Sequence, residues 1–254
     1  MQALPDGYTL IELAEVASTN DEAARLAAGG APDGTVVWAH RQTAGRGRRG
    51  RGWTPVEGNL YFSVLMRPRV PLAQAAALSF VAAVAVGDAV AGYLPDSGRV
   101  AHKWPNDVLV GGAKIAGILL EASGGARGTV DRVVLGCGIN VAGHPDIAGL
   151  AATNLAVESG REVTAAAVLP VVLNALREWR QRWETAGIAP VRDAWLARAR
   201  GLGEDIIVRL PQEELRGRFD GLDDSGALLL RLPDGARRSI SAGDVFFDDQ
   251  ALGR

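Results

Sequence analysis

Residues 41 to 53 read Arg-Gln-Thr-Ala-Gly-Arg-Gly-Arg-Arg-Gly-Arg-Gly-Trp, five arginines and four glycines in thirteen positions, with no acidic residue between Asp33 and Glu57. Glycine admits positive φ and lets backbone approach a ligand closely, while each guanidinium offers planar, forked donors that suit carboxylate and phosphate oxygens. The segment lies between two apolar runs near the start of the chain, so the fold has to present it as a loop joining two strands. Its composition predicts an anion site that orders when the anion arrives.

The rest of the chain does not share that bias. Lys and Arg number 27 against 29 Asp and Glu, for a net charge of −2, which argues against a nucleic-acid binder working through a whole-surface basic field. With 254 residues, 48% of them apolar, the chain can bury one large core, or a large one and a small one. Cys137 is the single cysteine, which rules out an internal disulfide and a cysteine-only metal cage and predicts a reducing, cytoplasmic setting. No basic segment followed by an apolar one opens the chain, so no signal peptide is expected. Leu72 to Leu94 approaches the length of a membrane span, but it is rich in alanine and interrupted by Gln74 and Asp88. A buried core helix is expected there, and no membrane association.

Strands alternating with helices are predicted over most of the length. Asp21 to Ala28 reads as a helix that stops at Gly29-Gly30, with Thr19 and Glu22 as a capping box. Val36 to His40 and Asn59 to Met66 read as the strands on either side of the arginine loop, and the alanine-rich helix follows. Arg99 to Val110 and Lys114 to Glu121, joined by Gly111-Gly112, read as a β-hairpin, and Val130 to Val141 as a further strand. Val168, Val172, Leu176, Trp179 and Trp183 recur at spacings of three and four, marking an amphipathic helix over Thr164 to Thr185; Pro190 opens a shorter one to Arg200. From Glu204 the pattern changes to short strands separated by Pro-Gln-Glu, Asp-Asp-Ser-Gly and Pro-Asp-Gly turns, which predicts a small all-β barrel. The fold class is mixed α/β.

Gly45, Gly47 and Gly50 spell the dinucleotide-binding pattern G-x-G-x-x-G, but that motif needs an apolar helix opening at its third glycine. Arg51-Gly52-Trp53-Thr54-Pro55 follows instead, which excludes a Rossmann unit. No G-x-x-x-x-G-K-[ST] phosphate loop is present either. Disordered arginine-glycine tracts that bind RNA repeat and lie in tails, whereas this one sits inside a folded segment, so an RNA-binding module is the weaker reading.

Other segments join the loop. They are Ser18-Thr19-Asn20, Gln42 through Trp53, Asn59-Leu60-Tyr61, Lys103-Trp104-Pro105-Asn106-Asp107, Lys114 through Glu121, and Gly136-Cys137-Gly138-Ile139-Asn140-Val141. In this order and spacing they resemble the biotin protein ligases, from about Ser18 to the C-terminus. The resemblance implies a catalytic domain over residues 1–202, related to class II aminoacyl-tRNA synthetases, and an SH3-like β-barrel over 203–254. It also implies an enzyme that joins biotin and ATP as biotinyl-5′-AMP, with Mg2+, and transfers biotin to a lysine of a biotin carboxyl carrier domain. A lipoate protein ligase shares the fold, but its glycine loop is typically followed by aromatic-His-Asp, absent here. About seventeen residues precede Ser18, too few for a helix-turn-helix domain, so no DNA operator is expected as a partner.

The roles implied by the resemblance fall on particular residues. Ser18, Thr19, Asn20, Gln42, Gly45, Arg46, Gly47 and Arg48 would surround biotin, with Gly117 letting the strand lie flat against its ring. Lys103 would bridge the biotin carboxylate and the phosphate, acting in catalysis with Arg48. Arg48, Arg49, Trp53, Asn106 and Asn140 would serve ATP, Trp53 on the nucleotide side and Asn140 near the adenine. A loop between Val141 and Thr153 would cover the adenine. Simpler readings stand beside these: Ser18 and Thr19 as helix caps, Trp53 as core, Asn140 as a turn residue, and Asp107 either near Mg2+ or fixing the hairpin. The three histidines show no metal-ligand spacing, so the metal ligands are unassigned.

Overall fold

The computed structural model describes residues 4–125, 128–147, 149 and 151–247. Seven strands form the main sheet: β1 (Thr9–Val16), β2 (Thr35–Gln42), β3 (Leu60–Met66), β4 (Val100–Lys103), β5 (Asp107–Val110), β6 (Ala113–Gly124) and β7 (Val130–Ile139). Their spatial order is β1-β2-β3-β7-β6-β5-β4. β1 and β2 run parallel and all other neighbours are antiparallel. Helix α1 (Thr19–Ala28) covers one face, where Ala23 and Ala27 pack on Val37, Leu65 and Val134. On the other face lie α2 (Ala77–Ala91), α4 (Ala165–Ala186) and α5 (Ala189–Leu196), built on the even-numbered residues of β3. A short α3 (Leu155–Ser159) precedes α4.

α2 is apolar all round because it is sandwiched between the sheet and α4. By length and composition the stretch Leu72–Ala91 could cross a membrane, yet 72% of its most apolar window is buried inside the structure. It is the core helix the sequence predicts.

Three expectations need correcting. The first arm of the predicted hairpin is two strands, β4 and β5, because Trp104-Pro105-Asn106 turns the chain between them; proline has no N–H to give a ladder and sits poorly inside a strand. The capping box at α1 is absent: Ser18 is the N-cap, its Oγ accepting from Asp21 N–H, and the Thr19 hydroxyl is used elsewhere. The C-terminal strands are β8 (Asp205–Arg209), β9 (Glu214–Leu222), β10 (Leu228–Arg231), β11 (Arg237–Ile240) and β12 (Asp244–Phe247). They form an antiparallel sheet in the order β11-β10-β9-β8-β12, and among the described residues it does not close into a barrel.

This second sheet is packed against the first. Trp104 donates its indole N–H to Gly226 O at 3.1 Å. The buried Trp195 ring lies between the rings of His102 and Phe219, so one apolar core runs through both sheets.

Candidate functional site

The site lies on the α1 face of the main sheet, beyond Val134, where side chains of the helix no longer cover β7 and β6. Ser18 ends the extended segment after β1 and starts the helix, which turns Thr19 and Asn20 down onto the sheet. Gln42 Oε1 accepts from both the backbone N–H and the hydroxyl of Thr19, at 2.7 and 3.0 Å. Ser63 Oγ lies 2.8 Å from Thr19 Oγ1 and 2.6 Å from Asn20 Oδ1. Asn20 Nδ2 donates to Glu121 Oε2 at 2.7 Å. Ser18, Thr19, Asn20, Gln42 and Ser63 are all buried. They make a neutral polar cradle whose donors and acceptors are aligned before any ligand arrives.

Beside the cradle the sheet is bare. Gly117 on β6 pairs with Gly138 on β7, and both expose backbone on this face. The Trp53 ring lies on them: a Cβ at either glycine would stand 2.7 Å from it. Trp53 thus shares a layer with Gly117 and Gly138. Lys114 Nζ is 5.3 Å from the Trp53 ring centroid and pairs with Asp107 at 2.6 Å.

The arginine loop is a folded turn. Arg46 and Gly52 form a bridge, Gly47 N–H donates to Arg51 O at 2.6 Å, and Trp53 N–H donates to Gly45 O at 2.8 Å. Its side chains diverge. Arg46 points to the cradle's rim, where it pairs with Asp21 at 2.5 Å and Glu121 at 3.0 Å. Arg48 turns inward, its Nη1 3.3 Å from Asn106 Oδ1 and 3.5 Å from Gly243 O. Burial, with repulsion from Arg49 and Arg51, holds its pKa below the ordinary arginine value. Arg49 and Arg51 reach Asp244 on β12, at 3.2 and 2.7 Å.

Lys103 ends β4 and lies against β12. Burial first, then Lys114 and Arg200, lower its pKa, against the opposing pull of Asp107 and Asp244. Its Nζ is 5.6 Å from the ring centroids of both Phe246 and Phe247. Next to it, Asn106 donates to Ile118 O at 2.6 Å and thereby fixes the oxygen that meets Arg48. The sequence-predicted residues Lys103, Asn106, Arg48 and Arg49 therefore converge on one cationic end.

Asn140 stands apart from them. Its Nδ2 donates to Thr153 O at 3.0 Å and its Oδ1 accepts from Asn59 at 3.3 Å, so the side chain is committed to protein partners. Asn59 Oδ1 accepts three successive N–H groups, from Val141, Ala142 and Gly143. The pair pins the start of the segment predicted to cover adenine; residues 148 and 150 of that segment lie outside the described residues.

The sequence reading missed Ser63 and Asp244, and gave no role to Lys114, Gly138 or Asn59 although it quoted the segments that hold them. Gly138 had a signal, since Gly136-Cys137-Gly138 on a strand leaves one face without side chains. Lys114 had none: three residues from Gly117 on a regular strand it would face the other side, and only the register shift between β5 and β6 accompanies its approach to the Gly117 face. No group of three or more His, Cys, Asp or Glu side chains able to hold a metal occurs among the described residues.

Residues 13–140 match the biotin/lipoate A/B protein ligase family, and residues 201–248 match the biotin protein ligase C-terminal domain. A biotin–[acetyl-CoA-carboxylase] ligase of Paracoccus denitrificans is 46% identical over 92% of this chain and 99% of its own length. The bifunctional ligase/repressor BirA of Bacillus subtilis is 36% identical over 93% of this chain and 73% of its own. Among solved structures, a biotin protein ligase from Aquifex aeolicus in complex with biotin and ATP superposes with a TM-score of 0.79 at 30% identity, covering 94% of this chain and 97% of that one. A ligase from Leishmania major in complex with biotinyl-5-AMP gives 0.65 at 26% identity, covering 92% and 99%. With its strand order, its glycine floor and its two matched segments in the same succession, this chain belongs to the biotin protein ligase family.

Proposed function

We propose that biotin lies on the Gly117 and Gly138 floor, taking the place that the Trp53 ring holds in this structure, with its ureido ring in the Ser18, Thr19, Asn20 and Gln42 cradle, and that ATP places its phosphates among Arg48, Arg49, Lys103 and Lys114. One observation carries this reading: a buried neutral cradle and a cationic cluster flank a single flat floor. An uncharged ring that needs hydrogen bonds fits the first, and an anion fits the second. The biotin carboxylate oxygen then attacks the α-phosphorus of ATP, pyrophosphate leaves, and biotinyl-5′-AMP forms. Both reactants are anionic, and preorganised cations offset their repulsion as charge gathers in the transition state. In the second step the ε-amine of a lysine attacks the acyl carbon and AMP leaves.

The same reading assigns the backbone N–H groups of Gly45 and Arg46 to the carboxylate end, and Trp53, once moved off the floor, to the wall over the ring. Asn140 acts on the nucleotide side through the segment it pins with Asn59. Mg2+ enters with ATP; Asp107 is paired with Lys114 and Asp244 with two arginines, so this donor set does not suit a protein-held ion. The acceptor is a biotin carboxyl carrier domain, following the carboxylase named for the Paracoccus relative. The division at 202/203, the SH3-like character of the second unit, cytoplasmic operation and the lack of operator binding belong to the same proposal.

The test is ATP–pyrophosphate exchange with Mg2+ present. Biotin should drive it and lipoate should not; exchange with lipoate alone would overturn the assignment.

A further inference from the structure

We propose that Asp244, on the C-terminal sheet, is a positioning residue for the phosphate end of the site: its carboxylate holds the guanidinium groups of Arg49 and Arg51 side by side so that their remaining donors meet one anion. The proposal rests on the placement of ATP phosphates at the arginine loop given above.

The geometry is that of a bridge. Asp244 Oδ2 takes Arg49 Nη1 at 3.2 Å and Oδ1 takes Arg51 Nη2 at 2.7 Å, so each oxygen serves a different arginine. Two guanidinium groups brought this close repel one another, and a carboxylate between them offsets that repulsion. Each arginine spends only one nitrogen on Asp244, although a guanidinium has five N–H donors. Arg51 Nε also reaches Arg48 O, at 3.4 Å, but the side chains of Arg49 and Arg51 remain 35% and 61% exposed, which leaves further donors of both open to a ligand.

Two further features place the bridge at the site and not merely near it. Arg49 is the one non-glycine with positive φ among the described residues, at 55°. Such a conformation persists where surrounding contacts impose it. Here it turns the side chain out of the loop and toward β12. β12 and the residue before it face the site's other cations: Gly243 O receives Arg48, and Phe246 and Phe247 lie against Lys103. One strand of the second sheet thus orders the arginines that the first sheet supplies.

The experiment compares parent, Asp244→Asn and Asp244→Glu in biotin-dependent ATP–pyrophosphate exchange, with ATP and biotin varied separately. Asp244→Asn keeps the shape but removes the charge, and KM for ATP should rise about tenfold, the scale of one lost charge-assisted contact. KM for biotin should stay within about twofold, because the cradle does not touch β12. Asp244→Glu should recover most of the loss. In an Arg49→Gln/Arg51→Gln background, adding Asp244→Asn should change KM for ATP no further, a comparison that holds even if the single variant melts at lower temperature. An unchanged or lowered KM for ATP in Asp244→Asn would overturn the proposal, the latter because Asp244 would then be a competitor of the phosphates. So would equal rises in both KM values. Absence of exchange in the parent would instead sink the functional reading itself.

Discussion

At the cradle, five polar side chains are buried and four of them, Thr19, Asn20, Gln42 and Ser63, are bonded to one another, whereas at the arginine loop the charged groups are exposed or half-buried and held by ion pairs. The two ends respond differently to being disturbed. Leaving a buried donor or acceptor unpaired costs about 1–3 kcal/mol, so Thr19, Gln42 and Ser63 hold one arrangement. Exposed ion pairs contribute only about 0–1 kcal/mol each, so Arg49 or Arg51 can take a phosphate oxygen as readily as a protein carboxylate. The neutral end can discriminate by shape and hydrogen bonding, and the charged end can admit, neutralise and release an anion.

The largest break in this contrast should come at Lys103. Its replacement by alanine removes a desolvated cation where charge crowds in the transition state, and adenylate formation should fall about 100- to 1000-fold. Biotin affinity should change little, since the cradle is intact. Single-turnover adenylation with biotin titration separates the two; a loss confined to biotin binding would reverse the assignment of the ends.

Behind Lys103, on the core side of the sheet, His102 shows what the fold does to charge where no ligand compensates it. It is fully buried between Gly87 and Trp195, with neither ring nitrogen partnered. Burial first, then Arg198, pushes its pKa down to about 3, against Asp88. The folded state keeps His102 neutral while the unfolded chain takes up a proton below the ordinary value, so stability is lost as pH falls from about 6.5 toward 3. The loss should reach about 2 kcal/mol at pH 5. Urea midpoints at pH 7 and pH 5 should converge in His102→Leu relative to the parent; an equal drop in both proteins would place the acid sensitivity elsewhere.

A smaller effect is expected at the cradle. Gln42→Ala leaves the Thr19 N–H and hydroxyl without their shared acceptor, and KM for biotin should rise about tenfold, the scale of one unmet buried hydrogen bond. KM for ATP should not follow it. Parallel rises would mean that the two ends are not independent.

How much of this was legible in the sequence depended on whether the signal was local. β2, β3, β7 and the β5/β6 hairpin follow from apolar runs bounded by glycine, and α4 from its spacing of apolar residues. β1 was missed because an edge strand is buried only in part, although Pro5-Asp6-Gly7 ahead of it was an available turn marker. Pro105 was the available sign that Arg99 to Val110 could not be one strand. Thr19, Asn20 and Gln42 were named, yet Ser63, which ties them together, is hidden in a strand buried along its whole length. Asp244 is 193 residues from Arg51, and no pattern in one sequence connects them; only the packing of the second sheet on the first does. That no closed barrel is seen among the described residues has a related reason: turn spacing predicts the number of strands, while closure depends on how the first and last strands meet.

The smallest effect, and the sharpest for the loop, concerns Arg48. Biotinyl-5′-AMP is a mixed anhydride, safe while enclosed and reactive toward any amine once free. Arg48 is the loop residue that turns inward, linking the loop to Asn106 of the main sheet and to Gly243 of the second sheet. Both contacts are long and neither partner is charged, so they are weak ties that a phosphate would outcompete. Replacing Arg48 by glycine removes the tie and the ligand contact together and loosens a segment already rich in glycine. Lys103, Lys114, Arg49 and Arg51 remain, so adenylation should continue at a reduced rate while the intermediate escapes more often. Escape is read as biotin attached to a bystander such as albumin, incubated with enzyme, biotin and ATP, and it should rise by about the several-fold that one lost charge-assisted contact allows. A variant that forms adenylate yet labels the bystander no more than the parent would show that retention belongs to the cradle and not to the loop.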